Sequence, residues 1–249
     1  MSIVLNTVAA GDVTSVVENV GGVAAGALLA PLLRPYRWLR RTAVHLLFDR
    51  RYGVRTSGMV RLEEFGLAGE ERVYYAAARW NLLRRCLPPG DVGPDDVFVD
   101  FGSGMGRMVL EAAWRYPFKR VIGVELSKEL NDIAQQNIAG TRLRLHCKDI
   151  RLVHTDVLEY EIPEDISVVF FNNPFRGEVF ASVIKRLLAT VDRNPRRVTI
   201  VYANPTEEEF LLGTGRFRHV RTIKGGRQAR PDAPFDWIRI YEVTERAGA

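Results

Sequence analysis

Residues 100–106 read Asp-Phe-Gly-Ser-Gly-Met-Gly, and Gly102, Gly104 and Gly106 are spaced to let the backbone turn sharply and approach a ligand. An apolar run precedes them and a helical pattern follows, so the first N–H groups of that helix face whatever sits over the loop. Glu125 stands 19 residues after Gly106, at the end of the next apolar run, where a carboxylate can accept hydrogen bonds from both hydroxyls of a ribose. Asp156 holds the matching place one strand later, in His-Thr-Asp-Val-Leu. One strand further, residues 170–175 read Phe-Phe-Asn-Asn-Pro-Phe. An Asn side-chain carbonyl there can accept a hydrogen bond from an attacking amine.

These groups need strand ends to stand on. Val97–Phe101 is apolar on nearly every position, as a parallel strand covered on both faces should be. Helical spacing over 106–114 follows, then a strand over 120–126, a helix over 127–138 capped by Ser127, and strands over 150–155 and 166–171. A helix over 177–191, a strand over 198–202, and two runs over 217–223 and 237–243 joined by a turn-rich segment complete the pattern. Upstream, residues 52–69 read as loop. From Glu70, the recurrence of Val73, Ala77, Trp80, Leu83 and Leu87 predicts a helix that Pro88, Pro89 and Gly90 end. The alternation predicts an α/β fold: a doubly wound, seven-stranded, mostly parallel sheet with a C-terminal antiparallel β-hairpin, plus a helical N-terminal extension. The expected division is residues 1–56 for the extension and 57–249 for the main domain.

A dinucleotide fingerprint, G-x-G-x-x-G, would place its third glycine at 107, which is Arg107. The run G-x-G-x-G with Asp100 before it instead resembles motif I of the class I S-adenosylmethionine (SAM)-dependent methyltransferases, over about residues 95–245. That resemblance implies a cofactor site of Asp100, Gly102, Ser103, Gly104 and Gly106 for the methionine part and Glu125 for the ribose. It implies Asp156 for the adenine amino group, with Val157 offering its backbone N–H, and Asn172 beside the cofactor. Residues 172–175 are similar to the [Asn/Asp]-Pro-Pro-[Tyr/Phe] motif of nitrogen methyltransferases, with Asn173 where a proline would stand. They are also similar to the Asn-Asn-Phe of the disruptor-of-telomeric-silencing type lysine methyltransferases, whose motif I continues much as Gly102–Ala113 does here.

The expected function is therefore methyl transfer from SAM to an acceptor, nitrogen favoured over oxygen, by in-line displacement, with Asn172, Asn173 and Tyr75 as the catalytic candidates. Positioning can supply most of the acceleration, so a dedicated base is optional. Tyr74, Phe171, Phe175, Arg176 and Asn204 are further candidates for the pocket wall, and His154 is expected to be structural. No acid occupies 172 or 173, and no metal site is expected. The competing readings are an NAD(P)-dependent oxidoreductase, disfavoured by Arg107, and a non-catalytic SAM-binding or membrane-surface scaffold.

Composition bounds the rest. With 249 residues, 47% hydrophobic and 26% charged, the chain is neither disordered, collagenous, coiled-coil nor a disulfide-stapled mini-protein. Cys86 and Cys147 lack any paired-ligand spacing, so both are expected to be reduced, buried thiols in a cytoplasmic protein. The net charge of +5 is uneven: residues 1–56 carry seven Arg against three acids, and residues 214–249 carry seven Arg and one Lys against four. That rim suits an anionic partner, but no clear nucleic-acid motif accompanies it, and the expected acceptor is a small molecule or a protein. Residues 20–33 are uncharged and too short to span a bilayer, and Arg34, Arg37, Arg40 and Arg41 follow with interleaved aromatics. Residues 20–48 are thus expected to be a lid over the main domain or a peripheral membrane contact.

Overall fold

The computed structural model describes residues 47–57, 59–60, 75–224 and 237–244. The chain divides into two compact units, Met1–Leu47 and Phe48–Ala249. The expectation of a lid or membrane contact over 20–48 falls almost wholly on residues outside the described ones. Among the described residues, no helix is long and apolar enough to cross a membrane.

The second unit opens with a helical stretch over 48–52 and a two-stranded antiparallel pair, β1 (Met59–Val60) with β2 (Tyr75–Ala76). Helix α1 (Leu82–Cys86) leads into the main sheet. Its elements in chain order are β3 (Val97–Phe101), α2 (Arg107–Arg115), β4 (Arg120–Glu125), α3 (Lys128–Gly140), β5 (Ile150–His154), β6 (Val168–Asn172) and α4 (Gly177–Arg193). They continue as β7 (Thr199–Ala203), α5 (Glu208–Gly213), β8 (Phe217–Lys224) and β9 (Trp237–Val243). The seven strands lie in the order β5-β4-β3-β6-β7-β9-β8. Pairings among β3 to β7 are parallel, while β9 pairs antiparallel with both β7 and β8. This is the expected α/β sheet with its antiparallel hairpin, and β9, rather than β8, is the hairpin strand that joins the parallel set.

Alternation along the buried strands divides the core. Val97, Val99 and Phe101 face the side covered by α4, whose Phe180, Val183, Ile184, Leu187 and Val191 recur as an amphipathic helix requires. Phe98 faces the opposite layer with Val109, Ala112 and Ala113 of α2. The order reverses at β3, where the chain goes to β4 on one side and β6 pairs on the other, and that crevice beyond the strand ends is where ligands bind in such sheets.

One expected element is corrected. Over its described part, residues 75–87, the helix predicted from Glu70 to Leu87 is confined to Leu82–Cys86, with Tyr75–Ala76 extended and Asn81 in the left-handed region at φ 65°. Residues 78–80 are drawn into tertiary bonds: the Ala78 carbonyl accepts from Arg107 Nη1 at 2.7 Å, and Trp80 Nε1 donates to Asp49 Oδ1 at 3.2 Å. Both cysteines are buried and unpaired, and burial pushes the Cys86 thiol up to about 12.

Candidate active site

The glycine loop forms because β3 must end and α2 begin above β4 with little room between. Gly102, Gly104 and Gly106 all have positive φ. At Gly102 there is also no space, since a Cβ would lie 2.4 Å from Pro174 Cβ. The donor-side loop and the Asn-Asn-Pro turn after β6 are therefore in direct contact. The loop is anchored from below by hydrogen bonds from Gly102 N and Ser103 N to the Val124 carbonyl, at 2.9 and 3.0 Å.

Glu125 closes the arrangement. Its Oε2 accepts from Gly104 N at 2.7 Å and its Oε1 from Ser127 N at 2.9 Å, so one carboxylate ties the loop to the cap of α3. Burial raises its affinity for a proton, opposed by those backbone N–H groups. Asp100 is buried in β3, and burial, then the nearby Glu125 charge, push its carboxyl well above the usual carboxylate range. Asp156 caps the turn after β5, its Oδ1 accepting from Leu158 N at 3.0 Å.

These residues converge. Asp100, Gly102, Ser103, Glu125, Asp156, Val157 and Asn172 line one cavity at the carboxyl ends of β3 to β6, with Leu126, Leu130, Phe170, Phe175 and Val179 as apolar wall. Gly104 contributes its N–H to Glu125, and Gly106 starts α2. Ser103 Oγ is buried with no hydrogen-bond partner among the described residues. A polar ligand in the cavity would account for that orphaned hydroxyl, which buried polar groups seldom tolerate. Carboxylates for hydroxyl and ammonium groups, a glycine cradle and an apolar slot suit a nucleoside with an amino-acid arm, so the residues present fit SAM.

The acceptor-side candidates separate. Asn172 lines the cavity, but Asn173 is buried behind it at φ 48°, its Oδ1 accepting from Thr206 Oγ1 at 2.6 Å. Tyr75 lies on β2, its side chain outside the described residues, as is Tyr74. Phe175 lines the wall as expected; Phe171 does not, because strand alternation turns it into an aromatic cluster with Phe101, Phe180 and Tyr202 and presents Phe170 instead. Arg176 sits at the start of α4 and is absent from the cavity lining. His154 is exposed, its ring nitrogen 3.1 Å from the Leu126 carbonyl.

Sequence reasoning missed the group that holds the cavity's outer wall. Arg107, 2% exposed, donates from Nε to Thr56 Oγ1 at 2.7 Å and from Nη2 to Ser57 Oγ at 3.0 Å, and forms an ion pair with Asp49 at 3.5 Å. Asp49 in turn accepts from Thr56 N at 2.7 Å, Ser57 N at 2.6 Å and Thr56 Oγ1 at 2.8 Å. Asn137 of α3 adds a second tie, accepting from Arg55 N at 2.7 Å and donating to the Arg55 and Met105 carbonyls at 2.9 Å. The one available signal was an Arg where a glycine fingerprint would have continued.

A family model described as histone methylation protein DOT1 matches residues 68–207. The H3 lysine-79 specific histone-lysine N-methyltransferase of Dictyostelium discoideum is 32% identical over 121 residues, 45% of this chain and 6% of that protein. The ribosomal RNA small subunit methyltransferase A of Caldanaerobacter subterraneus is 27% identical over 96 residues, 39% of this chain and 33% of that protein. The chain thus spans a small part of the curated relatives it matches. Among solved structures, an RNA methyltransferase from Salinibacter ruber in complex with S-adenosyl-L-homocysteine superposes with a TM-score of 0.44 at 22% identity, over 69% of this chain and 95% of that one.

Proposed function

The chain belongs to the DOT1 histone methylation family, within the class I SAM-dependent methyltransferases, and from that premise we propose that it moves the methyl group of SAM to a nitrogen of its acceptor by in-line displacement. The observation that carries the proposal is that Asn172 lines the same cavity as Asp100, Gly102, Ser103, Glu125 and Asp156. When bound, SAM supplies an electrophilic methyl on a positively charged sulfur. Glu125, held by two backbone N–H groups, presents its carboxylate to a ribose; Asp100 balances an ammonium; Val157 and Asp156 meet an adenine edge. Asn172 accepts a hydrogen bond from the attacking nitrogen and keeps its lone pair aimed along the displacement line. The apolar wall excludes water, which would otherwise solvate that lone pair. A neutral amine needs no proton removed before it attacks, consistent with the absence of acid or His from 170–175.

Relatives named for a histone lysine and for ribosomal RNA make a macromolecular acceptor, protein or nucleic acid, the class to test, and the expectation of a small-molecule or protein acceptor widens accordingly. Titration calorimetry should give SAM binding and none for NAD. Glu125→Ala should weaken SAM about tenfold or more, since each lost charge-assisted bond is worth roughly 1.5–3 kcal/mol. Labelled methyl from SAM should appear on nitrogen when core histones and ribosomal RNA are offered separately. Asn172→Ala should cut that transfer with little change in SAM affinity. Label recovered only on oxygen or carbon, or on neither acceptor, would sink the nitrogen reading.

A further inference from the structure

Asn172 does not stand alone at the end of β6. Strand β7 runs beside it with Ala203 in register, and the next residue, Asn204, donates from Nδ2 to Asn172 Oδ1 at 2.9 Å. Asn204 is fixed in turn: its φ is 54°, its N–H donates to the Trp237 carbonyl at 2.8 Å, and its carbonyl accepts from Thr206 N at 2.8 Å. A left-handed backbone at this turn restricts the position to Gly, Asn or Asp. Of these, only Asn carries a donor that can reach a neighbouring carbonyl.

The choice matters because a primary amide has two nearly isosteric faces. Turned one way, Asn172 offers an oxygen that accepts from an amine; turned the other, it offers an NH2 that would compete for the amine lone pair. A donor on Asn204 selects the first orientation, and a carbonyl oxygen has two lone pairs, so the Asn204 bond and an acceptor N–H can share it. We propose that Asn204 is a positioning residue for methyl transfer, its side-chain amide fixing Asn172 with the carbonyl oxygen as the group that meets the acceptor nitrogen. This rests on the nitrogen reading above.

The probe is sinefungin, the SAM analogue that carries an amine in place of the sulfonium methyl, compared with S-adenosylhomocysteine, which has neither. Binding of both is measured by calorimetry, so no acceptor needs to be known. The wild-type protein should prefer sinefungin by about tenfold or more, the worth of one hydrogen bond from a charged donor. Asn204→Gly, which adopts the same backbone conformation without the amide, should lose at least fivefold of that preference while its S-adenosylhomocysteine affinity stays within about twofold. Thr206→Val, which cuts the adjacent bond to Asn173, should keep the preference. If Asn204→Gly retains it, or Thr206→Val loses as much, the proposal is overturned, the second result assigning the effect to a loosened turn. Asn172→Ala separates the layers: a preference that survives there overturns the nitrogen reading, whereas one lost there and kept in Asn204→Gly overturns the role of Asn204 alone.

Discussion

Replacing Asp49 with alanine should be the most damaging single change outside the cofactor cavity. The side chain accepts from Thr56 N, Ser57 N, Thr56 Oγ1 and Trp80 Nε1, and pairs with Arg107. Arg107 and Asp49 are 2% and 7% exposed, so the substitution takes the Asp49 carboxylate away from a guanidinium that water cannot reach. Breaking one side of a buried pair in this way costs about 3–5 kcal/mol. For a domain of this size each kcal/mol moves the melting temperature by about 2–4 °C, so a fall of roughly 6–20 °C is expected. The sharper assay is a double-mutant cycle with Asp49→Leu and Arg107→Met, read by urea unfolding. Asp49→Leu alone removes the carboxylate beside the buried guanidinium, and Arg107→Met alone removes the cation beside the buried carboxylate, whereas the double variant removes both charges together. It should therefore be more stable than the sum of the singles by at least ~1 kcal/mol. Additive singles, or an Asp49→Ala shift under about 2 °C, would refute the reasoning.

Three further outcomes follow from the same geometry. Burial pushes the Glu111 carboxyl up to about 7, with Arg115 opposing it from 3.3 Å. A raised folded-state value means that the stability contributed by Glu111 is complete below its ordinary value of 4.5 and is lost as pH rises through 7. The melting temperature of Glu111→Gln relative to wild type should therefore climb between pH 5 and 8, and a flat difference would contradict it. Asp100 and Glu125 both hold protons more tightly than usual because they are buried, so an ammonium and ribose bound beside them should expel protons, and SAM affinity should rise with pH. Calorimetry in buffers of different ionisation enthalpy reads that release, and buffer-independent heats would count against it. Gly102→Ala should cost more than the ~1–2 kcal/mol of a left-handed alanine, because its Cβ meets Pro174, and SAM binding should fall with it; an unchanged melting temperature would mean that the two loops are not in contact.

The centre of the sheet was legible because its strands are buried on both faces. Val97–Phe101 and Val168–Asn172 announce themselves by apolar runs, and their ends locate Asp100 and Asn172 without any tertiary knowledge. The glycine loop was legible for a local reason too, since left-handed turns select glycine. What stayed hidden was set by contacts distant in sequence. Arg107 meets Asp49 across 58 residues, and Asn204 meets Asn172 across 32. Asp49 has no local pattern that marks it, and Asn204 was legible as a pocket-wall candidate but not as the partner of Asn172. The helical spacing of Ala77, Trp80 and Leu83 is real, yet Trp80 and the Ala78 carbonyl are claimed by Asp49 and Arg107, and local periodicity loses to bonds that satisfy buried charges. Asn173 differs from Asn172 in a way its type does not signal: its backbone is left-handed and its oxygen accepts from Thr206.

The bond from Asn204 N to the Trp237 carbonyl has a consequence for the order in which the protein acquires its parts. The cofactor-side groups, from Asp100 to Val157, precede the acceptor side in the chain, and a ribosome adding about 5–20 residues per second completes them several seconds before β9 emerges. Until Trp237–Val243 arrives, β7 has no partner on its outer edge, and an open edge is a place where another chain can pair. The turn that holds Asn172 is then without its anchor as well. The Asn172–Asn204 pair is thus the last of these groups to be anchored, by a strand whose ladders run to β7 and β8.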